Sequence, residues 1–292
     1  MQTKRTKDST GRLLLVCALV FVALAPLLVL VAAAPSPQNS PPPYLGFDRN
    51  QYPGDAAMKL LRRDFVFTGY WLGPPPGEKT NTWLGKREYI RSLGYGFVVL
   101  YSGPDSGTLK SSVSAAENGT ADAKAAAALA RREGFSGGSI IFSDIEEGGR
   151  LTANYHTYLR AWSDELRRGG YKPGVYSSGM PVNEGQGVSI TTADDIYNDA
   201  LLPDFARWVY NDACPPSGGC AADAHALAPS KSGISYADVW QFAQSPRRKQ
   251  YTARCAAKYS PDGNCYAPSD AAHRWFLDLN AATSADPSLG AK

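Results

Sequence analysis

Ser139-Ile140-Ile141-Phe142-Ser143-Asp144-Ile145-Glu146 is a short apolar run that ends in two carboxylates. Helical patterns flank it, over residues 121–133 before and 152–168 after. An apolar run of this length between two helices reads as a strand buried on both faces, the unit of a parallel sheet. The same alternation continues outward in both directions. Comparable runs occupy 44–48, 65–72, 96–102, 173–178, 206–211, 238–242 and 275–279, which with 139–146 makes eight. Further helical patterns cover 55–63, 82–92 and 191–202, the last opening with acidic residues as helix starts do. Strand, helix, strand repeated in this way calls for a parallel sheet, and eight strands close into a barrel. The expectation is therefore an α/β fold, a single TIM-like (β/α)8 barrel over residues 44–285. A doubly wound open sheet is the rival, but no Gly-x-Gly-x-x-Gly or Walker loop follows any of the runs.

In such a barrel the chemistry sits where strands end. Asp48 ends the first run, Asp144 and Glu146 end the fourth, and Asp278 lies late in the eighth. Strand side chains alternate between faces, so Asp144 and Glu146 project to one side and Glu147 does not. Closure brings the eighth strand beside the first, and four carboxylates then converge on one mouth. Clustered carboxylates repel when ionised, so at least one should hold a proton near neutral pH, as a glycosidase general acid must. Aromatic residues gather at the same ends. Tyr70, Tyr101, Tyr176 and Trp240 are read as groove residues, since rings with a polar handle suit sugars.

The N-terminus is basic (Lys4, Arg5, Lys7, Arg12), then apolar from residue 13 to 34, ending Ala32-Ala33-Ala34-Pro35. This describes a secretory signal over 1–34, or an N-terminal membrane anchor if it is not cut. Either way the rest of the chain is extracytoplasmic, and the membrane is met only through that segment. A Pro-rich linker follows over 35–43, and 286–292 reads as a flexible tail. Cys214, Cys220, Cys255 and Cys265 lie in long Pro/Gly-rich stretches late in the chain and read as disulfides pinning loops. Their spacing favours Cys214–Cys220 and Cys255–Cys265, although four cysteines permit three pairings. The net charge of +3 comes with no basic stripe, which argues against nucleic acid. Arg247-Arg248-Lys249 reads as a solvated loop face. The three histidines, His156, His225 and His273, show no ligand pairing, so no metal is expected, nor another cofactor, and the absence of a Gly-x-Ser-x-Gly elbow argues against a Ser nucleophile.

Gly46-Phe47-Asp48, Asp144-Ile145-Glu146, Trp240-Gln241-Phe242 and Leu277-Asp278-Leu279-Asn280 together resemble the family 25 glycoside hydrolases, the bacterial and phage lysozymes. The chain is more closely similar to their exported relatives, the glycoside-hydrolase-like domain of unknown function 1906. That resemblance implies a lysozyme-like barrel acting on peptidoglycan, at the β-1,4 bond after N-acetylmuramic acid. It implies Glu146 as general acid, Asp144 assisting it or steadying the substrate acetamido group, and Asp48 and Asp278 shaping the charge. The chain departs from the lysozymes at Arg49-Asn50, at the extra acid Glu147 and in its two cysteine-bearing loops. A monomeric cell-wall glycan hydrolase is the first reading, and a non-catalytic carbohydrate-binding barrel at the cell envelope is the second.

Overall fold

A computed structural model describes residues 43–202, 204–221 and 227–289. The signal or anchor segment, nearly all of the Pro-rich linker and His225 lie outside the described residues. No helix among the described residues is long and apolar enough to cross a membrane.

Among the described residues there are ten strands and six α-helices: β1 (Tyr44–Asp48), α1 (Asp55–Leu61), β2 (Phe67–Trp71), α2 (Arg87–Ser92), β3 (Gly96–Ser102), α3 (Ser112–Arg132), β4 (Ile140–Asp144) and α4 (Ala153–Arg168) come first. β5 (Lys172–Ser178), β6 (Val182–Gly185), β7 (Val188–Ile190), α5 (Thr192–Tyr197), β8 (Ala206–Tyr210), β9 (Val239–Ala243), α6 (Lys249–Thr252) and β10 (Asp278–Ala282) complete it. Eight of the strands close in the order β1-β10-β9-β8-β5-β4-β3-β2, and β6 and β7 form a separate hairpin. The expected eight-stranded α/β barrel is thus present.

One strand runs against expectation. β10 pairs antiparallel with both β1 and β9, and it begins three residues later than the apolar run at 275–279. A strand running the other way begins at the mouth where its neighbours end. Asp278 therefore reaches the mouth as the first residue of β10, directly across from Asp48.

The barrel floor is apolar because two glycines make room for two rings. A Cβ on Gly46 would stand 2.3 Å from the Phe67 ring, and one on Gly174 would stand 2.6 Å from the Phe142 ring. Outside the barrel, α3 begins at Ser112, well before residue 121, behind a reciprocal Ser111/Ser114 capping box. Its small face (Ala115, Gly119, Ala123, Ala126, Ala127, Ala130) is buried, as are the large α4 residues Tyr155, Tyr158, Leu159, Trp162 and Leu166. At Gly119 a Cβ would come within 2.4 Å of the Tyr158 carbonyl oxygen, so the two helices meet backbone to backbone. At the chain's end, the carboxyl of Asp286 and the hydroxyl of Ser288 accept the N–H groups of Phe97 and Val99 at 2.9 and 2.8 Å. Residues 286–289 of the expected tail are thus fastened to β3, and 290–292 lie outside the described residues.

The disulfides correct the pairing favoured from spacing. They are Cys214–Cys255 and Cys220–Cys265, with Cα separations of 5.5 and 5.3 Å. Short spacing suggested a staple within each loop. The fold instead brings the loop after β8 against the loop after β9 and staples them to each other.

Candidate active site

Asp48, Asp144, Glu146 and Asp278 line one cavity of about 290 Å³ at the barrel mouth, together with Trp71, Tyr176, Trp208 and Gln241. Three of the acids are carried there by strand ends, and Glu146 follows the end of β4 at the same parity as Asp144. Asp144 is buried at the bottom of the site, whereas Glu146 stands exposed at its rim.

Each acid has a distinct environment. Asp48 Oδ1 accepts hydrogen bonds from Gln241 Nε2 at 2.9 Å and Asn280 Nδ2 at 2.6 Å. Both amides are locked in that orientation. The Trp208 indole, which can only donate, gives its N–H to Asn280 Oδ1 at 2.9 Å. Tyr176 Oη and Gln244 Nε2 both donate to Gln241 Oε1 at 2.7 Å. The donor faces of the two amides must then point at Asp48. Burial raises the Asp48 carboxyl to about 6, the two amide donors oppose that rise, and the charge of Glu146 adds to it.

Burial, then the charges of Glu146 and Asp48, hold the Asp144 carboxyl well above the ordinary carboxylate range. Neither Asp144 oxygen makes a well-formed hydrogen bond, and the carboxyl that acts on it most strongly is that of Glu146. Asp278 is also held well above the usual range, by burial and by Asp48, although Ser245 donates its N–H to it at 2.6 Å. Glu146 is raised by burial as well, with the positive charge of Arg248 pulling the other way. The arrangement therefore favours the protonated form of its carboxyls in a hollow at the barrel mouth. It is suited to giving a proton to an oxygen of a bound molecule.

Of the four rings expected to line the groove, only Tyr176 does so. Tyr70 is buried outside the barrel against Trp83, Phe97 and Phe135, and its hydroxyl donates to Glu133 at 2.5 Å. Tyr101 packs on Trp162 of α4, and Trp240 is buried with its N–H given to the Asn211 carbonyl. Parity explains the difference, because Trp71 and Leu100, one position away from Tyr70 and Tyr101, are the residues that face the cavity. Glu147, set aside on parity, accepts the N–H of Ser106 at 2.6 Å and holds a neighbouring loop.

Gln241, Asn280, Trp208 and Arg248 were not singled out from the sequence as site residues. A polar residue at the inward parity of a buried strand was the available signal for the first two. Arg248 also corrects the reading of residues 247–249 as a solvated face. Its guanidinium is paired with the fully buried Asp212 carboxylate and lies over the Tyr210 and Tyr251 rings at 5.4 and 4.9 Å. His156 lies elsewhere, bridging Asp199 and Asp195 at 2.7 and 2.8 Å. Among the described residues no group of three metal-type side chains is arranged to hold an ion.

The structure is similar to that of an uncharacterized protein of B. stearothermophilus, with a TM-score of 0.50 at 20% identity, over 84% of this chain and 97% of that one. It also matches the Tat-secreted protein Rv2525c of Mycobacterium tuberculosis, crystallised with HEPES, with a TM-score of 0.47 at 16% identity over 82% and 95%. A third match is the spore cortex lytic enzyme SleM of Clostridium perfringens, with a TM-score of 0.49 at 15% identity over 83% and 68%. No curated protein matches the sequence significantly. Residues 76–252, more than half of the chain, match the family described as the Rv2525c-like, glycoside hydrolase-like domain, and the chain belongs to that family.

Proposed function

We propose that this protein is an exported glycoside hydrolase acting on cell-wall glycan, with peptidoglycan as its substrate and Glu146 as its general acid. The observation that carries this reading is the convergence of Asp48, Asp144, Glu146 and Asp278 on one open cavity walled by Trp71, Tyr176 and Trp208. Glycoside cleavage needs a carboxyl group that keeps its proton near neutrality and a second group that carries negative charge. Glu146, an exposed residue at the rim whose carboxyl is desolvated by the surrounding walls and so raised, is placed to protonate a leaving glycosidic oxygen. Asp48, with a value of about 6 and two obligatory amide donors, is largely ionised at neutral pH and supplies the charge that favours an oxocarbenium-like transition state. Asp144 assists Glu146 from below, and Asp278 sets the charge on the far side of Asp48. Export agrees with the two disulfides, since such bridges persist outside the reducing cytoplasm.

The test is release of reducing ends from purified peptidoglycan by the protein and by Glu146→Gln. The amide keeps the shape and removes the proton, so turnover is expected to fall by 100-fold or more, on the order of a general-acid contribution, with glycan binding retained. Binding by both forms with turnover by neither would replace the hydrolase reading with that of a carbohydrate-binding barrel.

A further inference from the structure

A second hollow of about 300 Å³ adjoins the acidic cavity, sharing Asn50, Ser245 and Asp278 with it and adding Arg49, Gln51, Glu78 and Phe276. Arg49 is the unusual member. Its Nε and Nη1 are buried and have no hydrogen-bond partner. Its guanidinium carbon lies 5.1 Å from the centre of the Phe276 ring, and that ring is 44% exposed. Burial works against the Arg49 charge, and the attraction of Asp278 only partly offsets this. Glu78, the other acid of the hollow, takes a hydrogen bond from Gln51 Nε2 at 3.1 Å and is not bonded to Arg49. A stacked guanidinium with donors unpaired by the protein, beside a polar hollow, is suited to take an anion, because buried N–H groups left unpaired are costly.

Resting on the reading of the adjoining cavity as a glycan-cleaving site, we propose that this hollow is a subsite for a sugar that bears a carboxylate. The carboxylate is held by the Arg49 fork and the sugar ring lies against Phe276. A guanidinium edge matches a planar carboxylate with two parallel hydrogen bonds, and an exposed ring offers the flat face a sugar needs. A dianionic phosphate fits less well, since Glu78 and the acids of the neighbouring cavity face the same space. Two glycans carry the required chemistry: a muramyl strand freed of its stem peptides, through its lactyl carboxylate, and a hexuronate chain.

The experiment is calorimetric titration of the Glu146→Gln protein, whose turnover is suppressed, with glucuronate alone and with five oligosaccharide probes. These are a stem-free muramyl tetrasaccharide, an oligohexuronate, the carboxamide derivative of each, and neutral chitotetraose as reference. At least one carboxylate form is expected to bind roughly tenfold tighter than its carboxamide, the worth of a charge-assisted hydrogen bond, and which one does identifies the source. Adding Arg49→Gln is expected to bring that ratio to about one, while Arg49→Lys, which keeps the charge and loses the fork, leaves an intermediate ratio. A carboxylate preference that survives in Arg49→Gln, or neutral and charged glycans binding equally, would overturn the subsite while leaving the glycan groove standing. If no oligosaccharide binds but glucuronate alone still binds in an Arg49-dependent way, the subsite stands and the hydrolase reading falls.

Discussion

Asp48 shows how a single side chain can serve a site at a cost to the fold. Its carboxyl is 7% exposed and has a value of about 6 in the folded protein, against an ordinary 3.8. The folded state therefore keeps a proton that the unfolded chain releases. Below pH 3.8 both states are protonated and the group costs nothing. Between 3.8 and 6 only the unfolded chain ionises, so stability falls as the pH rises, and above 6 the loss is complete. The full loss is roughly 3 kcal/mol. Asp48→Asn removes the titration and keeps the shape, because a carboxamide oxygen can still accept from Gln241 and Asn280. The variant is expected to melt close to the wild type at pH 4, and to be more stable by about 2–3 kcal/mol at pH 7.5. Under the proposed function, its glycan hydrolysis should fall at the same time, the trade expected of a site residue. Calorimetric melting of both proteins across that pH window decides the matter, and a constant difference at every pH would show that Asp48 does not titrate there.

At the scale of elements, the loop after β9 sets the charge that Glu146 experiences. Arg248 pulls the Glu146 carboxyl down against burial, and Asp212 holds Arg248 in place. Removing Arg248 alone would strand a fully buried carboxylate, at a cost of about 3–5 kcal/mol. The paired change Arg248→Gln with Asp212→Asn avoids that. With the positive charge gone, Glu146 should keep its proton to higher pH, so the alkaline limb of the pH–activity profile is expected to move to higher pH. A limb that stays in place would mean that another acid donates the proton. The neighbouring elements also show what a sequence can and cannot disclose. The bounds of β1 and β3 were legible to the residue, because strand-breaking or charged residues lie close on both sides of each apolar run, Pro43 and Arg49 at the first and Gly94 and Gly103-Pro104 at the second. β10 was not, since alternation has the same period in both chain directions, and the apolar Trp275 and Phe276 precede the strand. The parity that separated Glu146 from Glu147 applies equally to Trp71 and Tyr70. In β2, however, every position is buried, so burial cannot say which face is which. The hairpin of β6 and β7 carries its signal in Gly185-Gln186-Gly187, where Gln186 and Gly187 adopt φ of 50° and 77°, and its strands are too short and exposed to show as runs.

For the molecule as a whole, the disulfides join folding to the chemistry of the mouth. Each bridge ties the loop after β8 to that after β9 across 41 or 45 residues of sequence. Loop closure of that size restricts the unfolded chain by about 4 kcal/mol per bridge. The second bridge does more than this. Cys265 donates its N–H to Ser245 Oγ at 2.9 Å, and the Ser245 hydroxyl in turn donates to the Leu277 carbonyl at 2.7 Å. The Ser245 backbone N–H is the donor that holds Asp278 at 2.6 Å. Cys220–Cys265 is thereby wired through Ser245 to one of the four acids, and to the wall shared by the cavity and the Arg49 hollow. Replacing Cys220 and Cys265 together by serine is expected to lower stability by about 3–4 kcal/mol in chemical denaturation. It should also lower kcat/KM on glycan at temperatures where the variant remains fully folded, because Ser245 and Asp278 lose a rigid backing. Restoring stability with a general stabilising osmolyte separates the two effects. If activity returns with stability, the bridge is a staple only; if activity stays low in a protein that melts like the wild type, the covalent link is positioning the acid it reaches through Ser245.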